Sequence, residues 1–263
     1  MRVRFVWCVI AIGCRQEPAT APPVPIADAV AHCPGGERWS IAATPVAGEP
    51  CIDVVRFDLA THRLQLFSDP AGRTGDAWIA AEHLAGVINA GMFHDGGAPV
   101  GLLIDRGRES GIDNPKFGGV IAWDPVDPKD AAIAVTAKQC AGFDLAALRR
   151  RYRSLIQSYR LLDCDGSALP WKDPKQYSAA ALGVDRAGRA VLLHARGAVT
   201  MAELSKSLAT HDLAGALFLE GGPEATLVAG ALSRVGSYET GFVENDDNHQ
   251  QWKLPNVIGV LIR

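Results

Sequence analysis

The 263-residue chain carries 26 Lys and Arg against 29 Asp and Glu, a formal net charge of −3, so no broad basic face for nucleic acid is expected. Hydrophobic residues make up 48% and charged residues 21%, the usage of a globular protein rather than a disordered one. The length suits one large domain with a sizeable core, and no internal linker divides it.

Residues 1–13 read as an export signal, with Arg2 and Arg4 as the positive start and "FVWCVIAIG" as the apolar stretch. No other stretch is apolar for long enough to span a bilayer. "AIGC" resembles a bacterial lipobox, which makes Cys14 the expected lipidated first residue of the mature chain; simple secretion is the alternative. The expected location is therefore the bacterial cell envelope, in the periplasm or at the cell surface, with the membrane met only through the anchor. Residues 14–31, rich in Pro and Ala, read as a tether, and residues 32–263 as the folded domain. Apart from Cys8 and Cys14, the cysteines are Cys33, Cys51, Cys140 and Cys164, an even number suited to an oxidising compartment. Sequence proximity favours Cys33 with Cys51 and Cys140 with Cys164 among the three pairings. None has the spacing of a zinc site, and no metal or cofactor is expected.

Along the domain, "CIDVVRFDLATHRLQLFSD" predicts two strands joined by a turn. "AGVINAG" and "VGLLIDRG" are short strands, the second turning at Arg106 and Gly107, and "GGVIAWDP" and "AAIAVTA" continue the series. "DLAALRRRYRSLI" has helical spacing, with Leu145, Leu148, Tyr152 and Leu155 on one face and a solvated run of arginines around it. "LIQSYRLL" is a strand, "DCDG" a turn, and "AALGVDRAGRAVLLHARG" a hairpin around Arg186 to Gly188. "TMAELSKSLATHDL" is an amphipathic helix, Thr200 its N-cap and Glu203 completing a capping box. "AGALFLEGG" and "LPNVIGVLIR" are the last strands. Many strands and few helices, without strict alternation, predict an α+β domain: a large mixed β-sheet with a few packed helices.

Polar residues concentrate at three strand ends: Asn89 to Gly97, Gln157 to Arg160, and Glu220 to Glu224. Groups at the end of a buried strand are held by a rigid sheet yet reachable from a cleft. The three blocks "NAGMFHDGGAPVGLLIDRG", "IQSYRLL" and "ALFLEGGPEATLVAG", in this order, resemble the phosphodiester glycosidase family over about residues 50–263. The resemblance implies that family's fold, a carbohydrate or glycosyl-phosphate substrate, and site positions at Asn89, Gly91, Phe93, Pro99, Gly101, Gln157, Ser158, Glu220, Gly221 and Gly222. Where the family has aspartate the chain has Glu220, and where it continues Gly-Ser the chain has Pro223 and Glu224. Where the family has an arginine before Thr-Ala the chain has Ala179, leaving Arg160 as a replacement cation.

Phosphate is an acidic leaving group, so cleavage at an anomeric carbon makes its chief demand on a carboxylate that stabilises the sugar cation or activates water, and on groups that hold the departing charge. Glu220 is the expected carboxylate, with Glu224 or Asp95 as second acid or base. Arg160 and the Gly221–Gly222 backbone would hold the anion, Asn89, His94, Gln157 and Ser158 the sugar, and Phe93 would form a wall. Each has a plain alternative: a turn cap for Asn89, a bystander loop histidine for His94, a structural ion pair between Glu220 and Arg160. The acidic stretch 236–252, with Tyr238 and Trp252 at its ends, reads as a solvated loop, or alternatively as one that contacts sugar. The expected function is an exported glycosidase acting on a glycosyl phosphodiester, with a non-catalytic binding lipoprotein and a P–O-cleaving phosphodiesterase as alternatives.

Overall fold

The computed structural model describes residues 37–41, 51–237, 239–240, 243–244 and 248–263. The export signal, Cys14, the tether, Cys33 and part of the acidic stretch 236–252, Tyr238 included, lie outside the described residues. In chain order the strands are β1 (Arg38–Ser40), β2 (Cys51–Phe57), β3 (His62–Arg73), β4 (Gly86–Asn89), β5 (Leu103–Asp105), β6 (Arg108–Ser110), β7 (Gly119–Pro125), β8 (Ile133–Ala137), β9 (Tyr152–Arg160), β10 (Gln176–Asp185), β11 (Ala190–Thr200), β12 (Leu213–Gly221), β13 (Thr226–Ala229), β14 (Leu232–Val235), β15 (Glu239–Thr240), β16 (Val243–Glu244) and β17 (Leu254–Ile262). The helices are α1 (Gly75–Glu82), α2 (Leu145–Arg151) and α3 (Met201–Ala209).

The α+β architecture predicted from the sequence is present, its strands divided between two main sheets. A ten-stranded sheet runs β1-β2-β11-β10-β12-β9-β5-β6, with β7 joined to β9 and carrying β8; a five-stranded sheet runs β14-β13-β4-β17-β3. Every recorded pairing is antiparallel, which refines the expectation of a mixed sheet. The two strands read from residues 51–69 part company, β2 joining the larger sheet and β3 the smaller.

Strand alternation sets the layers. Leu217 and Leu219 of β12 and Leu192 of β11 face a core shared with Ile88, Leu227 and Ile258 of the smaller sheet. Phe218 and Leu193, on the opposite face, pack under Met201, Leu204 and Leu208 of α3. Each such side chain contributes roughly 1.5–3 kcal/mol by leaving water.

The α3 capping box forms as predicted. The hairpin between β5 and β6 turns at Arg106 (φ 46°) and Gly107 (φ 82°), the paired left-handed residues that match strand twist in a two-residue loop. The helix predicted to run through Leu155 stops at Arg151, and Tyr152 and Leu155 enter β9 instead. Pairing of β9 with β7 from Tyr152 to Ser158 buries both residues and closes backbone bonds, outweighing the local helical period.

Cys140 and Cys164 form a disulfide that ties the loop after β8 to the loop after β9. Cys51 is also disulfide-bonded, and Cys33, its expected partner, lies outside the described residues. Replacing Cys140 and Cys164 together by serine is expected to lower the unfolding free energy by about 2–4 kcal/mol in urea titrations, an effect absent if the bridge merely links segments already fixed.

Candidate active site

Between the central strands β9 and β12 the larger sheet forks. They pair only at Leu217 with Arg160 and Phe218 with Tyr159. Beyond that point β9 stays with β7 (Gln157 opposite Val120) while β12 stays with β10 (Glu220 opposite Ala180). Gly91, at φ 94°, packs into the divergence, with the Ile156 methyl and the Leu219 carbonyl 3.7 and 3.9 Å from where its Cβ would stand. Next to it opens a cleft of about 380 Å³, lined by Met92, Tyr159, Trp171, Asp173, Lys175, Tyr177, Met201, Phe218, Glu220, Gly221 and Gly222.

The cleft walls are fixed from several elements. Buried Ser205 of α3 donates to the Leu161 carbonyl (2.6 Å) and accepts from the Leu169 N–H (2.8 Å), fastening the loop that brings in Trp171. Trp171 meets Tyr159 edge to face at 5.7 Å, and Tyr177 lies 6.0 Å from Phe218. A Cβ on Gly221 would come within 2.7 Å of the Tyr177 ring, so the glycine permits the close approach. Gly222 (φ 68°) then starts a single 3₁₀ turn, Gly222–Glu224, whose second position suits Pro223 because no helical bond needs an N–H in the first turn.

At the cleft floor, burial pushes the Glu220 carboxyl up to about 8; the Gly221 N–H, donating at 3.1 Å, opposes the rise, and the charge of Glu224 adds to it. Burial thus favours the protonated form of Glu220. Among the described residues no group of three or more His, Cys, Asp or Glu side chains is placed to hold a metal.

Of the predicted site residues, Glu220, Gly221 and Gly222 line this cleft. Glu224, half-buried, is near enough for its charge to act on Glu220. Asn89 is buried and accepts the Thr226 N–H at 3.2 Å, joining the first motif to the last without entering the cleft. Gln157, also buried, accepts from Leu102 and Asn114 N–H and donates to Asp113, Asn114 and Phe117 oxygens, its amide consumed in holding that turn. The Ser158 hydroxyl donates to the Phe218 carbonyl and is likewise occupied. Phe93 pairs with Pro99 across a tight loop whose exposed end holds His94 and Asp95; Met92, not Phe93, reaches the cleft. Arg160, expected to hold the anion beside Glu220, does not line this cleft, and the alternative of a structural ion pair with Glu220 is not formed either: it pairs with Asp163 at 2.8 Å, strand alternation setting it opposite Leu217 rather than Phe218.

The sequence profile of the phosphodiester glycosidase family matches residues 82–261. The chain belongs to this family. Among curated proteins none matches. A solved structure of a hypothetical protein from Synechocystis superposes with a TM-score of 0.56 at 14% identity, covering 81% of this chain and 59% of its own. The catalytic domain of zebrafish N-acetylglucosamine-1-phosphodiester alpha-N-acetylglucosaminidase superposes with a TM-score of 0.57 at 16% identity, covering 86% of this chain and 88% of its own. At these identities the likeness is one of fold.

In this family member the aromatic wall escaped sequence reasoning. Tyr159 adjoins the Gln-Ser pair, a cue within the motif itself. Trp171 and Lys175 lie in "PWKDPK", an aromatic among charges whose spacing does not reveal that the loop folds onto β12. Tyr177, in "YSAAALGVD", looks like an ordinary strand residue.

Glu220 also gives the fold a pH signature. Its carboxyl rises from 4.5 to about 8, so between these values the folded chain holds a proton that the unfolded chain has released, and stability falls as pH rises through that window. Glu220→Gln removes this slope. Its melting temperature is expected to exceed that of the native chain at pH 8 by on the order of a few degrees, with the gap closing toward pH 4.5; parallel curves would show that Glu220 is not held protonated.

Proposed function

We propose that the chain is an exported, lipid-anchored glycosidase of the cell envelope that hydrolyses the sugar–phosphate bond of a glycosyl phosphodiester or related cell-surface glycoconjugate. The observation that carries this reading is the placing of the Glu220 carboxyl, its proton affinity raised by burial, in a sugar-sized cleft with aromatic walls in a member of the phosphodiester glycosidase family. The rings of Tyr159, Trp171 and Tyr177 suit the apolar C–H faces of a sugar. A phosphodiester anion arriving beside Glu220 raises its proton affinity further, favouring a role as acid over one as nucleophile. The cysteine bridge is in keeping with an oxidising compartment.

In the proposed step the bond from the anomeric carbon to the bridging oxygen breaks and water supplies the new oxygen. The departing phosphate is acidic and needs little protonation, so Glu220 shares its proton with the leaving oxygen as a hydrogen bond rather than surrendering it, and Glu224, the adjacent carboxylate, takes a proton from water. Lys175 and the Gly221–Gly222 backbone hold the phosphate charge as the sugar becomes cation-like. Proton donation at such a site typically contributes about 10²–10⁴-fold.

The zebrafish relative's name makes an N-acetylglucosaminyl phosphodiester the first substrate to test. Free sugar with a phosphomonoester is the expected product pair; sugar phosphate would instead indicate P–O cleavage, and saturable binding without products a non-catalytic protein. Because the leaving phosphate is acidic, Glu220→Gln is expected to lower kcat/KM by an amount at the low end of the range for proton donation, about 10²-fold. In the native chain kcat/KM should decline as pH rises through about 8, where Glu220 loses its proton. A rise over the same range would assign Glu220 to base or nucleophile and sink its role as acid.

A further inference from the structure

Tyr159 and Trp171 line a second cleft as well as the first. It measures about 370 Å³ and is lined also by Lys116, Arg160 and Lys172. The two clefts therefore share an aromatic partition, and a ligand leaving the Glu220 cleft across it enters a cationic space. No carboxylate lines that space.

The three cations come from separate segments, each placed by the fold. Gln157, buried, accepts the N–H of Asn114 at 2.9 Å and donates to its carbonyl at 3.2 Å, while the Asn114 side chain accepts the Lys116 N–H at 3.0 Å. The Gln-Ser motif thus positions the turn that carries Lys116. Arg160 stands at the end of β9 and divides its charge with Asp163 at 2.8 Å. Lys172 follows Trp171 on the loop that Ser205 fastens. Lys116 and Lys172 are exposed and take part in no ion pair among the described residues. The indole N–H of Trp171, in the shared wall, has no hydrogen-bond partner among the described residues.

The first cleft already offers Lys175 to the scissile phosphate. A further cluster of cations, beyond the aromatic partition, matches a charge carried farther along the substrate. We propose that the second cleft is the aglycone subsite of the same site and selects glycosyl phosphodiesters whose aglycone bears a second anionic group, a phosphate or carboxylate. The proposal rests on the glycosidase reading above. It assigns Arg160 to the aglycone side, where an anion would draw on it together with the two lysines, each attraction weakened by salt.

Two substrates with the same N-acetylglucosaminyl phosphodiester and either a 2-hydroxyethyl or a 2-phosphoethyl aglycone test this directly. The native chain is expected to favour the phosphoethyl compound by about tenfold in kcat/KM at low ionic strength, corresponding to about 1.4 kcal/mol. In the double variant Lys116→Ala/Lys172→Ala the ratio should fall to within about twofold of unity, and in the native chain it should shrink as salt is added. A native ratio near one, or a ratio that survives the double substitution, overturns the subsite while leaving the glycosidase reading intact. If neither compound is turned over, that reading fails, and calorimetric titration of the phosphoethyl compound decides the subsite separately. Binding weakened about fivefold or more in the double variant supports it, and equal affinity overturns it.

Discussion

The parting of β9 from β12 after two residue pairs is the constraint on which the rest of the site depends. A sheet that stayed paired through Gln157 and Glu220 would leave no room between them. Beyond the fork β9 pairs at Leu155 and Ile156 with β7 on one side and β5 on the other, while β12 keeps its pairing with β10, so β9 stays bonded on both sides after leaving β12. The gap admits the segment after β4, and the resulting hollow takes its walls from α3, the loop after β9 and the start of β10.

Polar contacts keep that fork in register. Asp53 of β2 receives Arg38 of β1 and Arg234 of β14, each at 2.6 Å, bridging the larger sheet to the smaller through a buried carboxylate. Nearby, the buried ring of His194 bonds the Ala225 carbonyl at 3.0 Å, and burial lowers its pKa to about 4, so it remains neutral between charged neighbours. Arg196 donates to the Val235 and Asn248 carbonyls, and Asn89 accepts from Thr226. The His194 and Asn89 bonds fasten the crossing from β12 to β13, where the Glu220–Gly221–Gly222 turn lies, while those of Asp53 and Arg196 hold β14 to the larger sheet. Buried polar groups of this kind are costly when broken, so they specify one arrangement of the two sheets more than they add to stability.

This division explains why motif residues differ in what they do. Glu220, Gly221 and Gly222 meet the cleft because β12 runs past the fork. Gln157 and Ser158, drawn from equally distinctive stretches, are spent on internal hydrogen bonds, and Gln157 carries Lys116 into place; Asn89 uses its carbonyl oxygen on Thr226, while its buried amide nitrogen has no partner among the described residues. A side chain's amide or hydroxyl can serve a ligand or the backbone, and nothing in its neighbours along the chain says which.

What the sequence alone determined is local: the strand periods, the α3 capping box, the Arg106–Gly107 turn, and the three motifs whose order points to phosphodiester glycosidases. The pairing of Cys140 with Cys164 was also legible, from proximity. The tertiary structure decided what depends on distant partners: that the α2 segment yields to β9 at Tyr152, that Arg160 turns to Asp163, and that Tyr159, Trp171, Tyr177 and Lys175 gather around Glu220. The reason is physical. Turn and cap energies act over three or four residues, whereas burial, side-chain orientation and a carboxyl's proton affinity are set by whichever strands pack against it, and those come from all over the chain.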